Sequence, residues 1–345
     1  MSKKQRMIRL STHDQEKLKK IMRAWRGKKI LVVGDVGMDR YTMGSVERIS
    51  PEAPVPIVMV EQEQHKLGLA ANVADNVKAL GGVPLLTGVV GDDRTGQDFK
   101  KLLRSDGIDS KYLVTDSKRR TVLKERIVSE RQQLLRVDYE SQNSVSSTIE
   151  SKLIKQVQAL ASKADAVIVE DYAKGLVSKK LAQATFNVGK KTKKLVLVDP
   201  NQKTTVDTYV GASIFRPNKK EAEVLSGVKI IDTPSLKKAG QVLLKKTMAQ
   251  YVVITLGKEG MALFKNGEPG GGCQLIPTFS REVYDVSGAG DTVISVLALA
   301  LCAGATLEEA ALLGNLAAGV VVGKRGTATA SVAEITEAME FFKKT

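Results

Sequence analysis

Aromatic side chains make up only 4% of the 345 residues, which argues against a stacking platform for carbohydrate or single-stranded nucleic acid. Cysteine is nearly absent. Cys273 and Cys302 have no metal-ligand spacing and no disulfide framework, so both are expected as free thiols in a reducing compartment. Long hydrophobic runs are missing as well: the most apolar stretch, 293–303, falls short of the ~20 residues a spanning helix needs. The N-terminal MSKKQRMIRLSTHDQEKLKK lacks the apolar core of a signal peptide. These absences point to the cytoplasm and away from a membrane. No single block of charge occurs either. The formal charge is +15, but lysines fall in scattered pairs such as Lys179-Lys180 and Lys245-Lys246. A solvated basic surface that favours phosphate-bearing substrates fits this better than a nucleic-acid footprint.

What is present is an ordinary globular composition, 43% hydrophobic and 26% charged. Residues 11–26 predict a helix capped by Ser11 or Thr12, with Leu18, Ile21, Met22 and Trp25 on one face. Short apolar strands at 30–33, 167–169, 195–198 and 252–255 alternate with helical stretches. The alternation predicts an α/β fold, a mostly parallel sheet covered on both faces. Two segments, about 40–62 and 119–139, break the rhythm and are expected to form a small antiparallel sheet over its mouth. The division expected is an N-terminal helical extension, 1–28, and one domain, 29–345.

The strongest chemical signal is Asp285-Val286-Ser287-Gly288-Ala289-Gly290-Asp291-Thr292, followed at once by an apolar helix. Small residues let backbone N–H groups at a helix N-terminus approach a phosphate, and an acid in the first turn can take a proton from an attacking hydroxyl. Asn218 and Glu221 stand three apart at a helix start; they suit a hydrated Mg²⁺ or, equally, a capping box. Gly257, in Thr255-Leu256-Gly257, is a hairpin turn or the edge of a nucleotide groove. At the opposite end, Gly34-Asp35-Val36-Gly37-Met38-Asp39 is expected to end the first strand with two acids, and Gly68-Leu69-Ala70-Ala71-Asn72 to open the next helix. Asp35, Asp39 and Asn72 suit sugar hydroxyls, with helix or turn capping as the alternative for Asp35 and Asn72.

These motifs, in this order, resemble the ribokinase-like (PfkB) sugar kinases over roughly residues 29–340. The resemblance implies a large α/β domain with a small β lid, sugar bound between them and ATP along the sheet edge. It implies Asp291 as catalytic base, Gly288, Ala289 and Gly290 as anion hole, and Asn218 and Glu221 near Mg²⁺ and phosphate. Gly257 would lie in the nucleotide groove, Asn315 near adenine, and Asp35, Asp39, Gly68 and Asn72 at the sugar. Asp285 matches a position that some members use for K⁺.

Within that family, Asp39-Arg40-Tyr41, the run from Arg48 to Pro56, Gln132 to Asp138, Asp171-Tyr172-Ala173-Lys174-Gly175 and Gly319 to Lys324 resemble the kinases of D-glycero-β-D-manno-heptose 7-phosphate. That implies phosphorylation at the anomeric oxygen, toward ADP-heptose and lipopolysaccharide. Lys124, Arg131, Arg136 and Lys174 are then candidates for the substrate's own phosphate, against ordinary exposed charge. Three departures stand out: Leu69 in place of a second glycine, Gly37 in place of a bulky residue, and Glu130-Arg131 in place of Arg-Asn. Relatives of this subtype often carry a nucleotidyltransferase domain, and a separate protein is expected to supply that step. Open strand edges in the lid suggest a homodimer. The competing readings are a kinase for another sugar or nucleoside, a catalytically silent sugar-binding regulator, and a nucleic-acid binder.

Overall fold

The structure is a computed structural model that describes residues 10–130, 132–268, 272–279, 284–324, 326 and 328–341. Arg131, one of the candidates above, lies outside the described residues.

A nine-stranded sheet runs in the order β13-β12-β11-β10-β9-β8-β1-β4-β5. Third from one edge is β1 (Lys29–Gly34), paired in parallel with β4 (Val83–Gly91) on one side and β8 (Ala166–Glu170) on the other. Outward from β8 follow β9 (Leu195–Asp199), β10 (Ile214–Phe215) and β11 (Tyr251–Thr255), all parallel. Only β12 (Met261–Lys265) and β13 (Gln274–Ile276) add on antiparallel; β5 (Leu113–Asp116) closes the other edge. The chain leaves β1 in both directions, so the crevice at the C-terminal ends of β1 and β8 is a switch point of the kind where α/β sheets bind ligands.

Each face of the sheet is covered by helices, as fully apolar parallel strands require. One core gathers α2 (Ala70–Ala79), α8 (Ala289–Cys302) and α9 (Leu307–Val322); the other gathers α4 (Ser147–Ala161), α5 (Lys179–Thr192) and α7 (Thr233–Thr247). The helix expected near the N-terminus is α1 (Thr12–Ala24), closed by a Ser11–Asp14 capping box. Its apolar face joins the first core, with Trp25 wholly buried. Residues 293–303, too short to span a membrane, lie within and just past α8, the buried central helix. Among the described residues no helix is long and apolar enough to cross a membrane.

The smaller sheet has the order β3-β2-β6-β7 and differs from expectation in two ways. First, β2 (Val36–Ile49) and β6 (Val122–Ser129) pair in parallel, while β3 (Pro56–Leu69) and β7 (Gln132–Tyr139) pair antiparallel on the outside. Local alternation is the same for either pairing, so it cannot report strand direction. Second, Asp39 does not end β1: the chain turns at Asp35 and Asp39 already lies on β2. The arms also run closer to the core than expected, since β3 continues to Leu69.

Candidate active site

At the switch point Gly288 caps α8 with φ 81°, a conformation that favours glycine, and Asp291 falls in the first turn. The Asp291 carboxylate is held from two sides: Asn72 donates Nδ2 at 2.6 Å, and the Tyr172 hydroxyl donates at 2.9 Å. Burial pushes Asp291 above the usual carboxylate range, while those two hydrogen bonds and the Arg216 charge pull it back. Burial, then the charge of Asp291, raises Tyr172 well above its ordinary value, so it stays protonated and donates.

The loop that carries Tyr172 is anchored by Asp35, which accepts backbone N–H groups from Tyr172, Lys174 and Leu176 at 3.0–3.2 Å. The turn-capping alternative therefore describes the Asp35 carboxylate. Burial raises its pKa to about 6. Asn72 reaches Asp291 itself.

Asp39 faces the other side of the crevice. Its Oδ1 accepts from Arg126 Nη1 at 2.7 Å, and a Cβ on Gly68 would stand 3.3 Å from its carboxylate, so Gly68 leaves room there. In register across three strands stand Lys66, Asp39 and Lys124, which puts them on one face of the lid. Arg126 and Tyr41 lie one pair further along that face, with Lys66 and Arg126 both over the Tyr41 ring. Lys124 and Lys174 both pair with Glu140. Arg136, directly across from Arg126, is half exposed and pairs with Asp138. Glu130 lies in the hairpin turn between β6 and β7 with φ 52°, so the exchange at Glu130 alters a turn and not a strand face.

A cleft of about 700 Å³ opens from Asp291 along the sheet edge. Gly290, Asn218, Glu221, Gly257 and Asn315 all line it, with Val286, Val293, Ala318 and Val322 as an apolar wall. Asn218 and Glu221 do form the capping box, each accepting the other's backbone N–H. Gly257 sits in the connection between antiparallel β11 and β12, as the hairpin reading has it, and lines the cleft. Asn315 Nδ2 donates to the Pro277 carbonyl at 2.7 Å. Asp285 bonds the Ser287 N–H just outside the cleft.

Four groups in the cleft floor carried no role in the sequence reading: Glu170, Tyr172, Asp199 and Arg216. Carboxylate oxygens of Glu170, Asp199 and Asp291 lie within 4.8 Å of one another. Glu170 is 1% exposed and its Oε1 has no partner. Burial and the nearby charge of Asp291 push Glu170 well above the usual range. Such an oxygen-only set, with an orphaned buried carboxylate atom, fits a hard divalent cation. The signal available was each acid's place at a strand end; nothing local said that β8, β9 and α8 converge.

A family model described as pfkB family carbohydrate kinase matches residues 28–334. The chain belongs to the pfkB carbohydrate kinases. The Bifunctional protein HldE of Helicobacter hepaticus is 42% identical over 312 residues, 90% of this chain and 64% of that one. The Bifunctional protein HldE of Wolinella succinogenes is 44% identical over 308 residues, 89% and 64% respectively. The chain thus spans just under two thirds of the length of these pfkB relatives. In fold it is similar to phosphofructokinase-2 from Escherichia coli in complex with substrates and products, TM-score 0.74, 19% identity, covering 91% and 99%. It is also similar to Arabidopsis thaliana ribokinase complexed with ribose and ATP, TM-score 0.69, 18% identity, covering 92% and 100%.

Proposed function

We propose that this kinase phosphorylates D-glycero-β-D-manno-heptose 7-phosphate at its anomeric hydroxyl, giving the 1,7-bisphosphate for ADP-heptose and lipopolysaccharide. The observation that carries the proposal is the lid face itself: one buried acid, Asp39, flanked by Lys66, Lys124 and Arg126. An acid can bind sugar hydroxyls, and clustered cations suit a substrate that already bears a phosphate dianion. Lys174 and Arg136 extend the same basic rim. The motif resemblance and the HldE relatives point the same way.

In this mechanism Asp291 takes the proton of the attacking hydroxyl, and the raised affinity of a buried carboxylate for protons suits that task. Asn72 and Tyr172 fix its two oxygens. The 288–290 backbone amides receive the transferring phosphoryl, and the lid keeps water from competing. Glu221 and the Glu170, Asp199 and Asp291 set would hold Mg²⁺, which would supply charge neutralisation on the nucleotide phosphates. Asp285 is the candidate for K⁺. Adenine fits the apolar wall beside Asn315.

The proposed compartment is the cytoplasm, a reading that use of ATP and two free thiols support. The lid exposes Ile49, Met59, Val60 and Leu135, which a second copy of the lid would cover in a homodimer. A nucleotidyltransferase step would then consume the product.

The test is ADP release with Mg²⁺ and ATP against the heptose phosphate, fructose, ribose and adenosine. Turnover confined to the heptose phosphate supports the assignment. Turnover with another acceptor alone discards the heptose and keeps the kinase.

A further inference from the structure

Among the described residues, Arg216 is the one cation in the set of buried charged side chains, at 4% exposure. It follows β10 directly and lines the cleft together with Gly290 and Asp291. Its Nη2 pairs with Asp199, while its Nε is buried without a partner. A Cβ added to Gly290 would stand 3.0 Å from both Nη1 and Nη2. The two terminal nitrogens therefore sit against the turn that would receive the transferring phosphoryl.

A buried guanidinium with an unused donor is unfavourable until a further acceptor or anion completes it. One role for Arg216 is counter-ion to the acids of the cleft floor. That accounts for the pair with Asp199. It does not account for a fork held against Gly290, the one place in the cleft where small residues expose a helix N-terminus. Guanidinium geometry matches phosphoryl oxygens, which suits it to charge that spreads over them during transfer.

We infer that Arg216 is a catalytic residue that contacts the γ-phosphoryl of ATP at the 288–290 turn and stabilises its charge during transfer. The acceptor oxygen forms its bond to phosphorus as the bond to the ADP oxygen breaks. The electron pair leaves with ADP and the acceptor proton goes to Asp291; Arg216 is unchanged throughout. The inference rests on reading 288–290 as the phosphoryl site.

The experiment compares the full chain with Arg216→Gln, Arg216→Lys and Gly290→Ala. Affinities for ADP and for the non-hydrolysable analogue AMP-PNP are measured with Mg²⁺ by calorimetry, alongside turnover and melting temperature. In R216Q the AMP-PNP to ADP affinity ratio is expected to fall about tenfold, and kcat about a hundredfold or more. Equal changes in both affinities, or wild-type turnover in R216Q, overturn the inference. Should R216Q not fold, the same ratio is read in R216K: a fall supports the contact and an unchanged ratio overturns it. G290A separates the two layers of the argument. A ratio lowered by G290A but not by R216Q overturns Arg216 alone; a ratio unmoved by either variant overturns the phosphoryl-site reading with it.

Discussion

Two neutral side chains hold the carboxylate of Asp291, and the carboxylate and its tyrosine donor each make a distinct prediction. Asp291→Asn removes the proton acceptor while keeping the shape, so kcat is expected to fall about 10²–10⁴-fold with the fold intact. Retention of more than a tenth of the activity would show that another group takes the proton. Tyr172→Phe is subtler. The tyrosine hydroxyl lowers the Asp291 pKa from the value that burial alone would impose. The base works deprotonated, so activity is lost as pH falls through its pKa. Losing the hydroxyl raises that pKa, and the acid limb of the kcat/KM profile should move to higher pH. An unmoved limb in an active Y172F enzyme would break the link between Tyr172 and the base.

At the level of single elements, the large-for-small exchange at Leu69 and the small-for-large exchange at Gly37 are one feature. Leu69 holds φ 58° and ψ −138° as the residue before α2, a strained place for a side chain. It sits across from Val36 in the β2–β3 pairing and beside Gly37, where an added Cβ would stand 3.1 Å from Leu69 Cδ1. Val122 O and Cβ come closer still, at 2.8 and 2.9 Å, so Gly37 leaves room for the Val122 strand and for Leu69 together. Gly37→Ala should destabilise by about 1–3 kcal/mol through overpacking. In urea melts, Leu69→Gly should cost less in that background than alone; additive costs would separate the two residues. The sequence shows both residues as separate oddities, because their contact depends on strand register. Similarly, the helices and the central strands were legible from periodicity and caps, as with Ser11 and Asn218. The parallel β2–β6 pair was not, nor the meeting of Glu170, Asp199 and Arg216, since each arises from chain segments distant in sequence. The motif around Asp291 was legible because its chemistry is local to one turn.

For the molecule as a whole, several acids are buried at the switch point, and burial raises Asp35, Asp171, Glu170 and Asp291 alike. A carboxyl raised in the folded state binds its proton more tightly there than in the unfolded chain. Its contribution is complete below the unfolded value of ~3.9 and is lost as pH rises through the folded one. For Asp35 that folded value is about 6. These groups should make stability decline between those limits, read by denaturant melts at a series of pH values. A rise across that window would mean that the paired surface acids, which have the opposite sign, dominate. At the same scale, sedimentation should find a dimer, and Met59→Lys with Leu135→Lys should yield monomers that stay folded. A monomer at micromolar concentration in the unmutated chain would reject the lid as the contact.

The parallel pairing of β2 with β6, Gly37 to Val122 onward, also sets an order of assembly. Its partners belong to remote stretches of chain, separated by β3, α2, β4, Arg94–Ser105 and β5. Closing so long a loop costs entropy before the contacts return any stabilisation. The apolar wall of the cleft and the turn before Asp291 draw instead on β11, β12, α8 and α9, which follow one another closely. In refolding, amides around Thr255 and Asp291 should gain protection from hydrogen exchange before those of 37–44 and 122–129, so this side of the cleft should be in place before the smaller sheet closes over it. Pulse labelling that found the lid protected first would reverse that order.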